Sequence, residues 1–184
     1  MSHQQHPVGR TALVVDDDPY FRIALSKILT DRLGCVEISE AASFDSALER
    51  LAERPGISVA LFDLAMPGMS SPMNLGVIRE TFPQTLVVMI SASSARGDVI
   101  SALQAGAHGY VPKSLGVAGI VAALQTIFEG TIYVPASLSD VVTAGQALEE
   151  ACATRADQSA SFEQASAAAR AVCNTVSALR PELP

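Results

Sequence analysis

Ala12-Leu13-Val14-Val15-Asp16-Asp17-Asp18-Pro19 changes character halfway: four apolar residues run straight into three acids and a proline. A continuous apolar run of strand length fits a strand buried on both faces of a parallel sheet, whereas a half-exposed strand alternates. Asp18 before Pro19 is a helix start, since the carboxylate can cap and proline lacks an N–H that the first helical position does not use. The stretch therefore reads as strand, acidic loop and helix, the repeating unit of a doubly wound α/β fold.

The same rhythm continues along the chain. Ile57 to Phe62 and Leu86 to Ile90 are further, largely apolar runs, and Val36 to Ile38 and Gly109 to Val111 are weaker strand candidates. Ser43 can cap a helix whose Phe44, Ala47, Leu48 and Leu51 share one face. Val99, Ile100 and Leu103 mark a helix stopping at Gly106, and Ile120, Ala123, Leu124 and Ile127 mark another stopping at Gly130. Five strands alternating with helices predict an α/β fold with a doubly wound, five-stranded parallel sheet.

Functional groups of such sheets gather at the carboxyl ends of the strands. There the first run meets Asp16, Asp17 and Asp18, the third meets Asp63, the fourth meets Ser91, and the fifth leads through Tyr110, Val111 and Pro112 to Lys113. Clustered carboxylates repel one another, and a hard divalent cation such as Mg²⁺ relieves that repulsion. A lysine ammonium suits a phosphoryl oxygen, a serine hydroxyl can donate to another, and a carboxylate can attack an activated phosphoryl group. Catalysis of phosphoryl transfer is mostly positioning and charge neutralisation, so the set describes a phosphoryl receiver rather than a hydrolase with its own acid and base.

Four segments together carry a family resemblance. Leu13-Val14-Val15-Asp16-Asp17-Asp18-Pro19, Leu61-Phe62-Asp63-Leu64-Ala65-Met66-Pro67-Gly68, Ile90-Ser91-Ala92 and Gly106-Ala107-His108-Gly109-Tyr110-Val111-Pro112-Lys113-Ser114 resemble the signature segments of response-regulator receiver domains of two-component signalling. Their order and spacing also match: 46 residues from Asp17 to Asp63, 28 to Ser91 and 22 to Lys113. Gly109-Tyr110-Val111-Pro112-Lys113-Ser114 and Gly130-Thr131-Ile132-Tyr133-Val134-Pro135 are similar to the NarL/FixJ (LuxR-type) branch of transcriptional regulators. The resemblance implies a flavodoxin-like (βα)₅ receiver. In it Asp63 is the phosphoacceptor, and Asp16, Asp17, Asp63 and the Ala65 backbone carbonyl hold Mg²⁺. Lys113 binds a phosphoryl oxygen, Ser91 is the switch hydroxyl, and Tyr110 is the aromatic partner that turns inward when Ser91 moves. The implied phosphoryl donor is a histidine kinase or phosphotransfer protein, and a homodimer fits the family. The receiver itself catalyses the transfer and a slow dephosphorylation without being a conventional enzyme.

Two departures accompany the resemblance. Eight residues beyond the phosphoacceptor the family usually has glycine, where this chain has Ser71 followed by Pro72. Ala65 offers no side chain to orient an attacking water. It also sets aside a haloacid-dehalogenase-like phosphatase, which needs an acid at that position.

The 184 residues divide unevenly on this reading: a flexible N-terminus at 1–10, a receiver domain at 11–134 and an Ala/Ser-rich helical extension at 135–184. Apolar residues make up 49% and charged residues 17%, a globular composition. The formal charge of −7 repels phosphate backbones. After residue 135 the basic residues are Arg155, Arg170 and Arg180, against six acids, with no convincing helix-turn-helix. Asn174-Thr175-Val176-Ser177-Ala178-Leu179 faintly resembles the start of a recognition helix, but no helix-turn pattern precedes it. DNA binding through this chain is thus not expected, and transcriptional regulation by a diverged or truncated output domain is the alternative. Cys35, Cys152 and Cys173 form no CxxC spacing, the start lacks a secretory h-region, and no run reaches the ~18 apolar residues of a membrane helix. A cytoplasmic protein with no membrane contact is the expectation.

Overall fold

The structure, a computed structural model, describes residues 9–136. Its strands are β1 (Arg10–Val15), β2 (Cys35–Ala41), β3 (Val59–Phe62), β4 (Leu86–Ser91) and β5 (Gly109–Pro112). The helices are α1 (Pro19–Leu33), α2 (Phe44–Glu53), α3 (Leu75–Thr81), α4 (Arg96–Gln104) and α5 (Gly116–Phe128). The strands form one all-parallel sheet in the order β2-β1-β3-β4-β5, the flavodoxin-like order. Each face carries its own core. Leu13, Val15, Phe62 and Met89 pack with α2, α3 and α4, while Val14, Leu61, Val88 and Ile90 pack with α1 and α5. That two-sided burial explains why the three strongest strands read as apolar runs.

The expected punctuation is visible at the helix ends. Asp18 accepts from the N–H groups of Tyr20 and Phe21, and Ser43 forms a reciprocal capping box with Ser46. Gly34, Gly106 and Gly130 all have positive φ just past helix ends, the conformation that favours glycine.

Strand limits differ from the apolar runs for local reasons. β3 begins at Val59 because the Ser58 hydroxyl binds Thr11, donating to its carbonyl at 2.7 Å and accepting from its N–H at 3.1 Å. β2 is longer than its apolar centre, since it is an edge strand whose Val36, Glu37 and Glu40 face solvent. Ser71 has extended backbone, φ −160°, so glycine is not needed there; its hydroxyl accepts the Met73 N–H at the start of a short 3-10 turn, Pro72–Asn74. Among the described residues no helix is long and apolar enough to cross a membrane. The expected helical extension and the Asn174–Leu179 fragment lie outside the described residues.

Candidate phosphoryl-acceptor site

The site grows out of β1 and β3, neighbours at the centre of the sheet. The Asp63 N–H donates to the Val15 carbonyl at 2.8 Å, which sets the two strand ends level. Asp16 and Asp63 are only 2% and 4% exposed, whereas Asp17 faces solvent. Carboxylate oxygens of all three lie within 4.8 Å of one another. Lys113 reaches in from beyond β5, with Nζ 2.6 Å from Asp16 Oδ2 and 3.2 Å from Asp63 Oδ1. The same ammonium sits 4.3 Å from the Phe21 ring centroid, a cation–π contact that holds it over the cluster.

Asp16 is tied at every polar atom. Its N–H donates to the Ala41 carbonyl, its Oδ1 accepts the Asp18 N–H at 2.9 Å, its Oδ2 accepts Lys113, and its carbonyl accepts Arg22 Nη1 at 2.6 Å. Asp63 is different. Its Oδ2 accepts the Ala65 N–H at 3.2 Å, but Oδ1 is buried with no hydrogen bond, because Lys113 approaches it at ion-pair distance without hydrogen-bond alignment. Burial pushes the Asp63 carboxyl above the ordinary carboxylate range against the pull of Lys113, and the Asp16 charge adds to the rise. Burial alone lowers the Lys113 pKa, yet the hydrogen bond to Asp16 and the charges of Asp63 and Asp16 outweigh it, so the net direction is upward.

An orphaned, buried carboxylate oxygen among three clustered carboxylates fits a hard cation with oxygen ligands. Ala65, exposed at the rim, brings its backbone to the same place.

Ser91 ends β4 and Tyr110 lies on the adjacent β5, opposite Met89. Ser91 is 2% exposed and its Oγ accepts the Ser93 N–H at 3.1 Å. Tyr110 is already fully buried, and its hydroxyl donates to the Ser93 carbonyl at 2.9 Å. Ser93 in turn donates through Oγ to Asp98 Oδ2 in the first turn of α4. Burial raises the Tyr110 pKa, so the phenol is a neutral donor.

Of the residues the sequence points to, Asp16, Asp17, Asp63, Ala65 and Lys113 lie around one cluster, and Ser91 and Tyr110 lie on the neighbouring strands β4 and β5. Phe21, Arg22 and Ser93 join them in the structure alone. A signal existed for the first two, which lie three and four residues after the Asp18 cap, on the turn of α1 nearest the acidic loop.

The family model for the response regulator receiver domain matches residues 12–125. The glycerol metabolism activator of Pseudomonas putida is 34% identical over 123 residues, which cover 67% of this chain and 56% of that protein. The chain spans between about half and two thirds of the length of the curated relatives it matches. The solved receiver domain of a response regulator NarL from Mycobacterium tuberculosis is 31% identical with a TM-score of 0.61, covering 67% of this chain and 99% of that one. A CheX-CheY-BeF3-Mg complex from Borrelia burgdorferi has a chain 28% identical, TM-score 0.60, covering 65% and 89%.

Proposed function

The chain belongs to the response regulator receiver family and is related to transcriptional regulators of the NarL type, and from that premise we propose that it accepts a phosphoryl group on Asp63 from the phosphohistidine of a histidine kinase or phosphotransfer protein. The observation carrying this reading is Asp63 Oδ1, buried without a hydrogen bond beside Lys113 and two further carboxylates. In the transfer the histidine N–P bond breaks as a carboxylate O–P bond forms. Asp16, Asp17, Asp63 and the Ala65 carbonyl would hold Mg²⁺, which when bound neutralises charge on the phosphoryl oxygens. Lys113 leaves its carboxylates to pair with a phosphoryl oxygen. Phe21 and burial keep the ammonium in place, and the Ala65 N–H steadies the attacking group.

Ser91 is the hydroxyl that answers the new charge. Through the Ser93 N–H and carbonyl it is linked to Tyr110 and to α4, so a shift at Ser91 changes the face made by β4, β5 and their helices. The output is a change of protein contacts, including association of two copies. Residues 11–134 form the receiver. Phosphorylation is tested with acetyl phosphate and Mg²⁺, read by intact mass. Wild type gains one phosphoryl mass and Asp63→Asn gains none; equal modification of both overturns the assignment.

A second reading, regulation of transcription by direct DNA contact, is favoured by the kinship with curated transcriptional activators. The net charge of −7 opposes it. A gel shift on promoter DNA that weakens with rising salt would support that second reading.

A further inference from the structure

Arg22 lies one turn into α1, with its side chain directed back toward the end of β1. Nη1 donates to the Asp16 carbonyl at 2.6 Å, and Nε meets Glu40 Oε2 at 3.1 Å near the end of β2. The other Glu40 oxygen accepts from Ser26 Oγ at 3.1 Å, one turn further along α1. The Arg22 side chain is only 16% exposed. A single guanidinium thus joins the acidic loop, the edge strand and the helix. A planar fork can hold two acceptors in a fixed relation, which the point charge of lysine cannot.

The carbonyl held by Arg22 is half of the Asp16–Asp17 peptide unit. Because that unit is planar, fixing the carbonyl of residue 16 also fixes the N–H and Cα of residue 17. The Asp16 side chain has anchors of its own in Asp18 and Lys113. Asp17 is exposed, so its approach to the cluster depends on that peptide plane.

We propose that Arg22 is a positioning residue for the divalent cation: pinned against Glu40, it orients the Asp16–Asp17 peptide so that both carboxylates can share one ion with Asp63. The inference rests on the reading of these three acids as a cation site. Its sign separates it from a simple field effect. A positive charge near the site repels a cation, so loss of Arg22 by charge alone tightens binding, whereas loss of positioning weakens it.

The test is calorimetric titration of the full chain with MgCl₂ and no phosphoryl donor. Groups that orient metal ligands are typically worth ten- to a hundredfold in affinity. Arg22→Ala is expected to bind Mg²⁺ about tenfold more weakly than wild type, and Arg22→Lys, able to reach only one acceptor, several-fold more weakly. Arg54→Ala breaks the Arg54–Glu37 pair at the opposite end of β2 and serves as the unaffected control. Circular-dichroism melts in chelator establish that each variant is folded. The Asp17 amide resonance of the metal-free protein is expected to move in Arg22→Lys but not in Arg54→Ala, which a merely stabilising role for Arg22 does not produce. Equal or tighter binding by folded Arg22→Ala overturns the proposal. If that variant does not fold, wild-type affinity in Arg22→Lys overturns it equally. A wild type that binds no Mg²⁺ overturns the cation site itself and Arg22's role with it, whereas binding that is indifferent to Arg22 overturns only the latter.

Discussion

Asp63 carries its charge where burial disfavours it, and one of its oxygens has no hydrogen bond to offset the loss of water. A carboxyl whose pKa is raised in the fold binds a proton more tightly folded than unfolded. Its ionised form therefore weakens the fold at neutral pH, and that penalty is relieved as pH falls toward the raised value. Asp63→Asn keeps the shape and removes the charge, while Lys113 retains Asp16 as partner. In chelator at neutral pH the variant is expected to be more stable by about 1 kcal/mol, or roughly 3 °C in Tm. The gap should narrow with falling pH, and also when saturating Mg²⁺ stabilises wild type alone. A variant that melts below wild type in chelator contradicts this account. At this scale the sequence disclosed the groups that end apolar runs, as Asp16, Asp63, Ser91 and Lys113 do. It did not disclose Phe21, Arg22 or Ser93, whose contacts depend on the direction of a helix and the path of a loop.

Between strands, β5 has an otherwise open edge, and the segment after α5 covers it. Tyr133 bridges Gly109, accepting the Tyr110 N–H at 3.0 Å and donating its own N–H to the His108 carbonyl at 3.2 Å. Gly109 allows this close approach: a Cβ there would lie 2.5 Å from Ile127 Cδ1 and 3.2 Å from Tyr133 Cβ. Gly109→Ala is expected to destabilise by about 1–3 kcal/mol in urea titrations, the usual range for overpacking, and an unchanged midpoint would show that the edge segment yields freely. His108 closes the other side, its Nδ1 accepting the Val87 N–H at 3.0 Å. Burial and the Arg79 charge hold its pKa below the ordinary 6.5, so the neutral ring contributes stability that is complete above about that pH and is lost as pH falls through the folded value. His108→Asn retains an acceptor for Val87 but takes up no proton. Its urea midpoint is expected to fall less than that of wild type below pH 6.5; parallel curves would remove His108 as the cause. Nothing in the sequence marks His108 for this contact, because a side chain that bonds a neighbouring strand leaves no periodic trace. β2 was partly hidden for a related reason, since an edge strand mixes polar residues into its run.

The molecule as a whole owes its legibility to burial on both faces of one sheet: residues 12–15 of β1, 59–62 of β3 and 86–90 of β4 have no solvent side, so they are uniformly apolar and each run is closed by the first polar group. The order β2-β1-β3-β4-β5, one of the few that right-handed crossovers allow, brings the ends of β1 and β3 together, with α1 and α5 on one face and α2 to α4 on the other. Among the described residues, Val134 is the last packed against either core. A chain ending after Ala136 is expected to unfold in one cooperative step within a few degrees of the Tm of the 184-residue chain, and to be modified still by acetyl phosphate on Asp63. The removed residues, 137–184, carry three arginines against six acids, so the shortened chain is also less acidic, at −4 against −7. If the tail served only contacts with other proteins, neither version would shift promoter DNA at moderate salt. If the full chain shifted DNA and the shortened one did not, the tail would hold a nucleic-acid surface that its net charge opposes. Loss of cooperative unfolding in the shortened chain would instead place part of the receiver's core beyond residue 136.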